Sequence, residues 1–577
     1  MKLLFTSLLL ITILFSGIAQ NRDKAFEINS KLGRGINYGN MFEAPSENAW
    51  GNKWKPQYPT IIADLGFNHV RVPIRWEPAD RSSSKSPYNI YSTFLNRIKE
   101  VVDSSLNAGL YAVINMHHHE ALYEDPTDQE QRFLSMWAQI SEFFKDYPDS
   151  LLFELLNEPH GNITPEVWND LIPKALDTIR ITNPERVVLI GTAEYGGLGG
   201  LPYLELPDDD NIILTVHYYN PFQFTHQGAS WVGEHADDWL GTKWQDTESD
   251  RDIMRQEFAP LKAISEAENI PVHIGEFGAY STADIISREK WTTFLSRYFE
   301  ELGWSWAYWE FSAGFGIYNP TNKTYNQELV DALLHNEMPE PAKYQGNAIY
   351  ESNFSSSTNG WNANFNGGSQ GNMKVVDNAL EVTINSTGTE TWHIQLLKGN
   401  IKLEKGKKYR YSFKAKADGN RSSTSYIGKR SDPWTAYSGY NSPNITDTLS
   451  TFTYIFEMNS PTDSYARMVF DLGTSDVDFM VTDIKIEEVI LVPPTTALVN
   501  RQLETQIYPN PATNKLVIKN AREFNEAIIL NIKGSVLKKA ILRNESNELN
   551  IEDLPSGMYI IQLTGKNNTI STKFIKR

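Results

Sequence analysis

Residues 151–161 read LLFELLNEPHG, a short apolar run that ends in an amide, a carboxylate, a proline and a histidine. A run of this length, bounded by Pro148 and Pro159, reads as a buried strand rather than a helix. Its polar end then lies at a strand's C-terminal edge, which is where chemistry sits in a barrel of parallel strands. Asn157 and Glu158 are therefore candidates for an active site. The plainer reading is a polar strand-to-loop exit, because turn geometry favours polar residues. What decides between the two is whether other strands end in the same way.

Between Arg34 and about Leu334 the pattern recurs: a short apolar run, a polar exit, then a longer amphipathic stretch. The runs are 34–37, 68–74, 110–116, 151–156, 186–191, 212–216, 271–275 and 304–309. Between them, segments such as 94–108 and 167–181 carry apolar residues at helical spacing. Eight strands alternating with helices over about 300 residues predict an α/β fold, a (β/α)8 barrel.

The barrel does not account for the whole chain. Residues 1–19 run from Lys2 through an apolar core to Ser16-Gly17-Ile18-Ala19, the pattern of a signal peptide cleaved after Ala19. A catalytic-sized domain over 20–337 is followed by NEMPEPAKYQ (336–345), with 338–345 read as a linker. From 346 to 491 the runs are short and alternating with no helical period, which predicts an all-β sandwich. VPPTT (492–496) opens a stiffer linker to 505, and 506–577 reads as a small C-terminal β domain. Later stretches fall short of the ~18 apolar residues of a membrane span, so no span is expected.

Zero cysteines in an exported chain means that each domain is held by its core, without disulfides. The net charge is −18, but the residues from Leu498 onward carry 12 Lys/Arg against 7 Asp/Glu, which leaves −23 for those before. An acidic body argues against nucleic acid or an anionic polysaccharide as the main domain's partner. Fifteen Trp and 27 Tyr suit neutral sugars, whose C–H faces stack on rings.

Six strands close on polar or aromatic groups: Arg71; Asn115, His117, His118, His119 and Glu120; Asn157 and Glu158; His217, Tyr218 and Tyr219; Glu276; Trp309 and Glu310. One barrel gathers these ends around one pocket, which favours the functional reading of the opening stretch. Glu158 and Glu276 then face each other as lone carboxylates. Such a pair is the machinery of glycoside hydrolysis: one protonates the leaving oxygen and the other stabilises or attacks the oxocarbenium-like centre. Arg71 and Tyr219 can stabilise an ionised Glu276, Asn157 can bind a sugar 2-hydroxyl, and His117 and His118 can hold further hydroxyls. Three adjacent histidines invite a zinc reading, but an extended strand puts at most two of them on one side, and no HExxH or cysteine set accompanies them. No catalytic metal or cofactor is expected.

The motifs RVPIRW (71–76), INMHHHE (114–120), LLNEPHG (155–161), VHYYNPFQFTHQGASW (216–231), IGEFGAY (274–280) and AYWEFSAGFGIY (307–318) together resemble glycoside hydrolase family 5. They are most similar to a thermophile-type endoglucanase subfamily that also cuts mannan. The resemblance implies a retaining hydrolase with Glu158 as acid/base and Glu276 as nucleophile. It gives supporting roles to Arg71, His117, His118, Asn157, His217, Tyr219 and Trp309. Asn40, Glu43, His226 and Trp231 match positions that line the sugar cleft, while His119 receives no role. It implies a secreted endo-β-1,4-glucanase acting on β-1,4-linked polysaccharide as a monomer, with a β-mannanase or dual enzyme as alternative. A non-catalytic polysaccharide-binding surface protein is the rival from another class.

The segment 346–491 resembles jelly-roll carbohydrate-binding modules through NFSSSTNGWN (353–362) and DFMVTDIKIEE (478–488). Trp392, Trp434, Tyr437 and Tyr440 are candidates for a stacking face, Trp361 reads as structural, and the resemblance allows a structural calcium. The end of the chain, with IYPNPATNKLVI (507–518), NIKGSVLKKA (531–540) and LPSGMYIIQL (554–563), resembles the C-terminal sorting domain of the Bacteroidetes type IX secretion system. That implies contact with secretion machinery, then release or attachment at the cell surface.

Overall fold

The computed structural model describes residues 21–492 and, from 506 onward, all except 520, 522–523, 532–534, 543–545 and 566–568. The expected signal peptide and residues 493–505 of the second linker lie outside the described residues. No helix among the described residues is long and apolar enough to cross a membrane.

Residues 21–342 form one compact unit built on a closed, wholly parallel barrel. Its strands are β1 (Arg34–Asn37), β2 (His69–Val72), β3 (Tyr111–Asn115), β4 (Leu151–Glu154), β5 (Val188–Ile190), β6 (Ile212–Tyr218), β7 (Val272–Phe277) and β8 (Ser305–Tyr308), each paired with its neighbours and β8 with β1. All eight expected runs are strands, most of them shorter than the apolar run that announced them. The helices predicted over 94–108 and 167–181 span Ser92–Asn107 and Pro165–Arg180. In the second, Thr164 accepts the Val167 N–H as N-cap and Pro165 opens the first turn, where its missing donor costs nothing.

Alternation along the strands sends one set of side chains outward to the helices and the other into the barrel. Below the site, His69 and His273 meet edge to face at 5.2 Å, and His273 Nδ1 lies 2.7 Å from Ser305 Oγ. Gly35 is required there, because a Cβ on it would enter the His69 ring. Helix Asp23–Leu32 closes the N-terminal mouth, packing Ala25, Ile28 and Leu32 on Val113, Leu152, Leu189 and Ile213. Asn29 is tied to Val272 O and Ser305 Oγ. With that end plugged, the C-terminal mouth is left to bind.

The second unit begins at Lys343, not at 346: Lys343–Gln345 already pair with Ile490–Val492, so the expected linker 338–345 shrinks to 338–342. Strand Lys343–Ser352 is thus anchored along the outer part of the long strand Phe479–Val492. The sandwich has six strands in one sheet and four in the other around Trp361, Leu396, Tyr411, Phe413, Met468 and Phe470. Trp361 is buried and donates its indole N–H to the Tyr350 hydroxyl at 2.9 Å, a structural position as expected. Past residue 506, sheets of three and four strands enclose Leu516, Ile518, Ile529, Ile561, Leu563 and Phe574.

Candidate active site

Arg71 anchors the open end of the barrel. It points inward from β2, is fully buried, and spends its guanidinium on four residues at the ends of three other strands. Nε and Nη2 donate to the two Glu154 oxygens at 2.6 and 2.7 Å, Nη1 donates to Asn37 Oδ1 at 2.9 Å and Glu276 Oε1 at 2.7 Å, and Nη2 also reaches Asn157 Oδ1 at 2.7 Å. Burial opposes its charge, but Glu154 and Glu276 outweigh burial and keep it protonated. Glu154 is likewise held below the usual carboxylate range, Arg71 overcoming its burial. Asn37 and Glu154 were absent from the sequence-based site.

Glu276 takes a second hydrogen bond from the Tyr219 hydroxyl at 2.9 Å. Burial and the nearby Glu276 push that phenol's pKa well up, so it remains a donor. His217 sits opposite Glu276 across a bulge: Val216 pairs with Ile274, but His217 pairs with Glu276, with Gly275 as the extra residue. The bulge turns both side chains into the mouth. A Cβ on Gly275 would meet the His217 ring at 3.0 Å, so glycine is required for this approach.

Glu158 follows β4 in the left-handed region, φ 46°, a conformation that costs a non-glycine residue on the order of 1–3 kcal/mol. His217 Nδ1 lies 2.8 Å from Glu158 Oε1 and 3.7 Å from Glu276 Oε2. Glu158, His217 and Glu276 thus set one donor atom each within 4.8 Å of one another. The three could ligate a cation by distance, but the Arg71 guanidinium already lies on Glu276. Elsewhere among the described residues no three His, Asp or Glu donors gather in this way.

The electrostatics of this trio follow from its hydrogen bonds. Burial and the two carboxylates act in opposite senses on His217, and the carboxylates win, raising its pKa. Against burial, that imidazolium holds Glu158 below the usual carboxylate range. Burial and the Glu158 charge push Glu276 up, against the pull of His217 and Arg71. Moving one proton across the 2.8 Å bond, from Nδ1 to Oε1, gives the other arrangement: a neutral acid at Glu158, a neutral imidazole, and Glu276 relieved of its repulsive neighbour while keeping Arg71 and Tyr219. The site can thus hold one carboxyl protonated beside one ionised.

The remaining expected residues are distributed around this centre. Asn157, oriented through Oδ1 by Arg71, shows no hydrogen bond on its Nδ2 among the described residues. His117 accepts the Asn115 amide on Nδ1 at 3.2 Å and stacks on Trp309 at 5.7 Å. Burial pushes its pKa well down, so the ring is a neutral Nε2–H tautomer. His118 is also lowered by burial, to about 4, and faces Trp50, which is 47% exposed and was not foreseen. His226 stacks on Phe222 at 4.1 Å and meets Tyr219 at 5.0 Å, while Trp231 stands 59% exposed against Tyr280. Asn40 takes a left-handed turn, φ 64°, beside Glu43. Glu43 does not open to the cleft: it is buried, and its carboxylate is occupied by the backbone N–H groups of Asn40 and Met41. His119 is buried against Met116 Sδ at 3.3 Å and Phe133.

In the sandwich, Trp392, Trp434 and Tyr440 are about half exposed or more. Trp434 lies over Arg467 at 4.7 Å, and Tyr440 meets Tyr426 at 4.9 Å, so both flank the outward side of the four-stranded sheet. Tyr437 is only partly exposed, its hydroxyl donating to Asp463 at 2.9 Å.

Comparison with known proteins gives three matches along the chain: cellulase (glycosyl hydrolase family 5) over residues 33–314, a carbohydrate binding domain over 346–477, and a secretion system C-terminal sorting domain over 506–577. Endoglucanase H of Acetivibrio thermocellus is 38% identical over 317 residues, covering 54% of this chain and 33% of that protein. The chain spans between a third and about two fifths of the length of the first curated relatives it matches. Among solved structures, endoglucanase Cel5A from the hyperthermophile Thermotoga maritima superposes with a TM-score of 0.53 at 48% identity, covering 54% of this chain and 99% of that one. A structure of the same enzyme with mannotriose matches at the same identity and TM-score, covering 54% of this chain and all of that one.

Proposed function

Because this chain belongs to the glycosyl hydrolase family 5 cellulases, we propose that its barrel is an endo-β-1,4-glucanase that cleaves internal bonds with net retention. The observation that carries this reading is the short reach between Glu158 and Glu276, whose nearest donor atoms lie within 4.8 Å. Carboxyl groups roughly 5 Å apart suit attack by one of them, whereas inverting enzymes need about 6.5–9.5 Å to admit a water.

In this reading the Glu276 carboxylate attacks the anomeric carbon as the bond to the leaving oxygen breaks, and Glu158 gives its proton to that oxygen. In the second half, water transfers a proton to Glu158, its oxygen bonds to the anomeric carbon, and Glu276 is released as a carboxylate. Two inversions give a retained β product. Arg71 and Tyr219 fix the two Glu276 oxygens, so that one defined lone pair faces the sugar. Asn157 Nδ2 suits the 2-hydroxyl, the His117 Nε2–H can donate to a hydroxyl, and the neutral His118 can donate or accept, none of them adding charge. Trp231, exposed, offers a ring face to the polysaccharide, and Trp309, stacked on His117, is partly exposed.

A second reading, activity on mannan as well as glucan, is favoured by the mannotriose complex of the Thermotoga maritima relative. Glucose and mannose units differ at C2, where one hydroxyl changes direction and the cleft must tolerate both. The sorting domain marks the protein as secreted or attached at the cell surface, and the sandwich would hold the barrel on polysaccharide through Trp392, Trp434 and Tyr440.

The test is reducing-sugar release from carboxymethylcellulose, barley β-glucan and glucomannan by wild type and Glu276→Gln. Release by wild type alone, with the β-anomer appearing first, supports the reading. A wild type as inert as the variant that still binds polysaccharide would identify a binding protein, and a first-formed α-anomer would exclude retention.

A further inference from the structure

The left-handed backbone at Glu158 needs something to hold it, and the NEP stretch has one donor for each of three consecutive carbonyls. Asn157 O accepts the Tyr123 hydroxyl at 2.8 Å, Glu158 O accepts His160 Nδ1 at 2.6 Å, and Pro159 O accepts the Tyr195 N–H at 3.2 Å. The His160 bond fixes the peptide plane directly after the Glu158 Cα, and so the direction in which that residue's side chain leaves the backbone. A carbonyl only accepts, so Nδ1 carries the hydrogen whether the ring is neutral or charged.

The ring is itself clamped. It lies 4.1 Å from Tyr123 on one side and stacks at 4.7 Å, 12° from parallel, on Tyr195. Tyr195 belongs to a run of three left-handed residues, Glu194, Tyr195 and Gly196, with φ of 58°, 61° and 66°. Yet its ring is 61% exposed, so its own burial does not explain that conformation. What the run achieves is the placement of one ring against His160 and one N–H on Pro159 O. The loops after β4 and β5 are thereby joined at the acid residue.

We infer that His160 is a positioning residue that locks the Glu158 peptide so that its carboxyl stays aimed at the oxygen it protonates. His160 does not contact the sugar and acts only through Glu158. The inference rests on the hydrolase reading above. It predicts a selective defect: proton donation suffers while attack by Glu276 does not.

Full-length wild type, His160→Phe and His160→Asn are compared by kcat/KM on phenyl and 2,4-dinitrophenyl β-cellobioside. Phenolate needs a proton to leave and dinitrophenolate does not. His160→Phe should lose roughly tenfold or more on the phenyl substrate, the scale of a weakened acid, and stay near wild type on the dinitrophenyl one. His160→Asn, whose amide N–H can reach the same carbonyl, should recover most of the loss. A smaller folded fraction scales both substrates alike, so their ratio decides even if His160→Phe is less stable. Equal losses on both substrates, no loss on either, or no recovery with Asn would overturn the inference. A wild type inert on both would instead overturn the hydrolase reading, and this inference with it.

Discussion

Glu154→Gln is the most informative single change, because it alters one charge and almost no volume at a fully buried position. Glu154 takes two of the Arg71 donors at 2.6 and 2.7 Å, and nothing else of opposite charge is bonded to it. Breaking a buried ion pair from one side costs about 3–5 kcal/mol, and the retained shape places this change near the lower end, about 3 kcal/mol. At ~2.1 cal/mol/K of unfolding entropy per residue, a barrel of this size shifts by about 1.5 °C per kcal/mol, so it should inactivate roughly 5 °C lower. The catalytic consequence has its own sign. With Glu154 neutral, the Arg71 charge falls undivided on Glu276 and favours its ionised form, so the acid limb of kcat/KM moves to lower pH. A better-stabilised carboxylate is also a weaker nucleophile, so kcat falls across the plateau. Heat-inactivation midpoints and pH–rate profiles on barley β-glucan read both effects. A limb that moves upward or stays in place would refute the view that Glu154 and Glu276 share one guanidinium.

Glu158→Gln should cut activity on glucan by roughly 10²–10⁴-fold, and azide should restore turnover on 2,4-dinitrophenyl cellobioside by replacing the water that Glu158 activates; failure of rescue would count against its role. Buried Glu43 is pushed up to about 8 with only backbone donors on its carboxylate, while in the unfolded chain it titrates near 4.5. Its folded pKa is the higher, so its contribution is present below the unfolded value and lost as pH rises through about 8. Heat-inactivation midpoints should therefore fall between pH 5 and pH 8, and Glu43→Gln should flatten that fall; an unchanged slope would remove Glu43 as the cause. Deleting residues 343–492 should lower retention on insoluble cellulose and leave activity on carboxymethylcellulose near wild type, with Trp434→Ala reproducing part of the binding loss in a pull-down. Equal retention by all three proteins would exclude the sandwich as an anchor.

The barrel was legible because its parallel strands are buried on both faces and so appear as apolar runs, each with a polar exit, repeated eight times. Strand ends drifted where apolar residues continue past the ladder, as with Leu155 and Leu156 after β4, which are buried without belonging to the strand. The boundary at 343 was missed for a different reason. KYQ is polar and reads as linker, yet its backbone pairs with Ile490–Val492, and an edge strand needs no apolar side chains to do so. Trp50 and Tyr195 were also invisible, since each lies on a loop whose path brings it to the mouth only in three dimensions.

The centre of the site was half legible, and the missing half carries the more general point. Glu158 and Glu276 stood out because each ends an apolar run, where polarity changes. Glu154 and Asn37 lie inside their strands, so periodicity assigns them to the fold rather than to chemistry. The available signal was energetic: a carboxylate in the middle of LLFELL, buried on both faces of a parallel sheet, cannot persist without a cation. The cation on offer was Arg71, an equally anomalous charge inside HVRV. Pairing the two unaffordable charges would have located the guanidinium that orients Glu276 without any alignment of strand ends. A charge inside an apolar strand thus gives a constraint on its partner, and here that constraint joins β2, β4 and β7 at the residue on which nucleophilic attack depends.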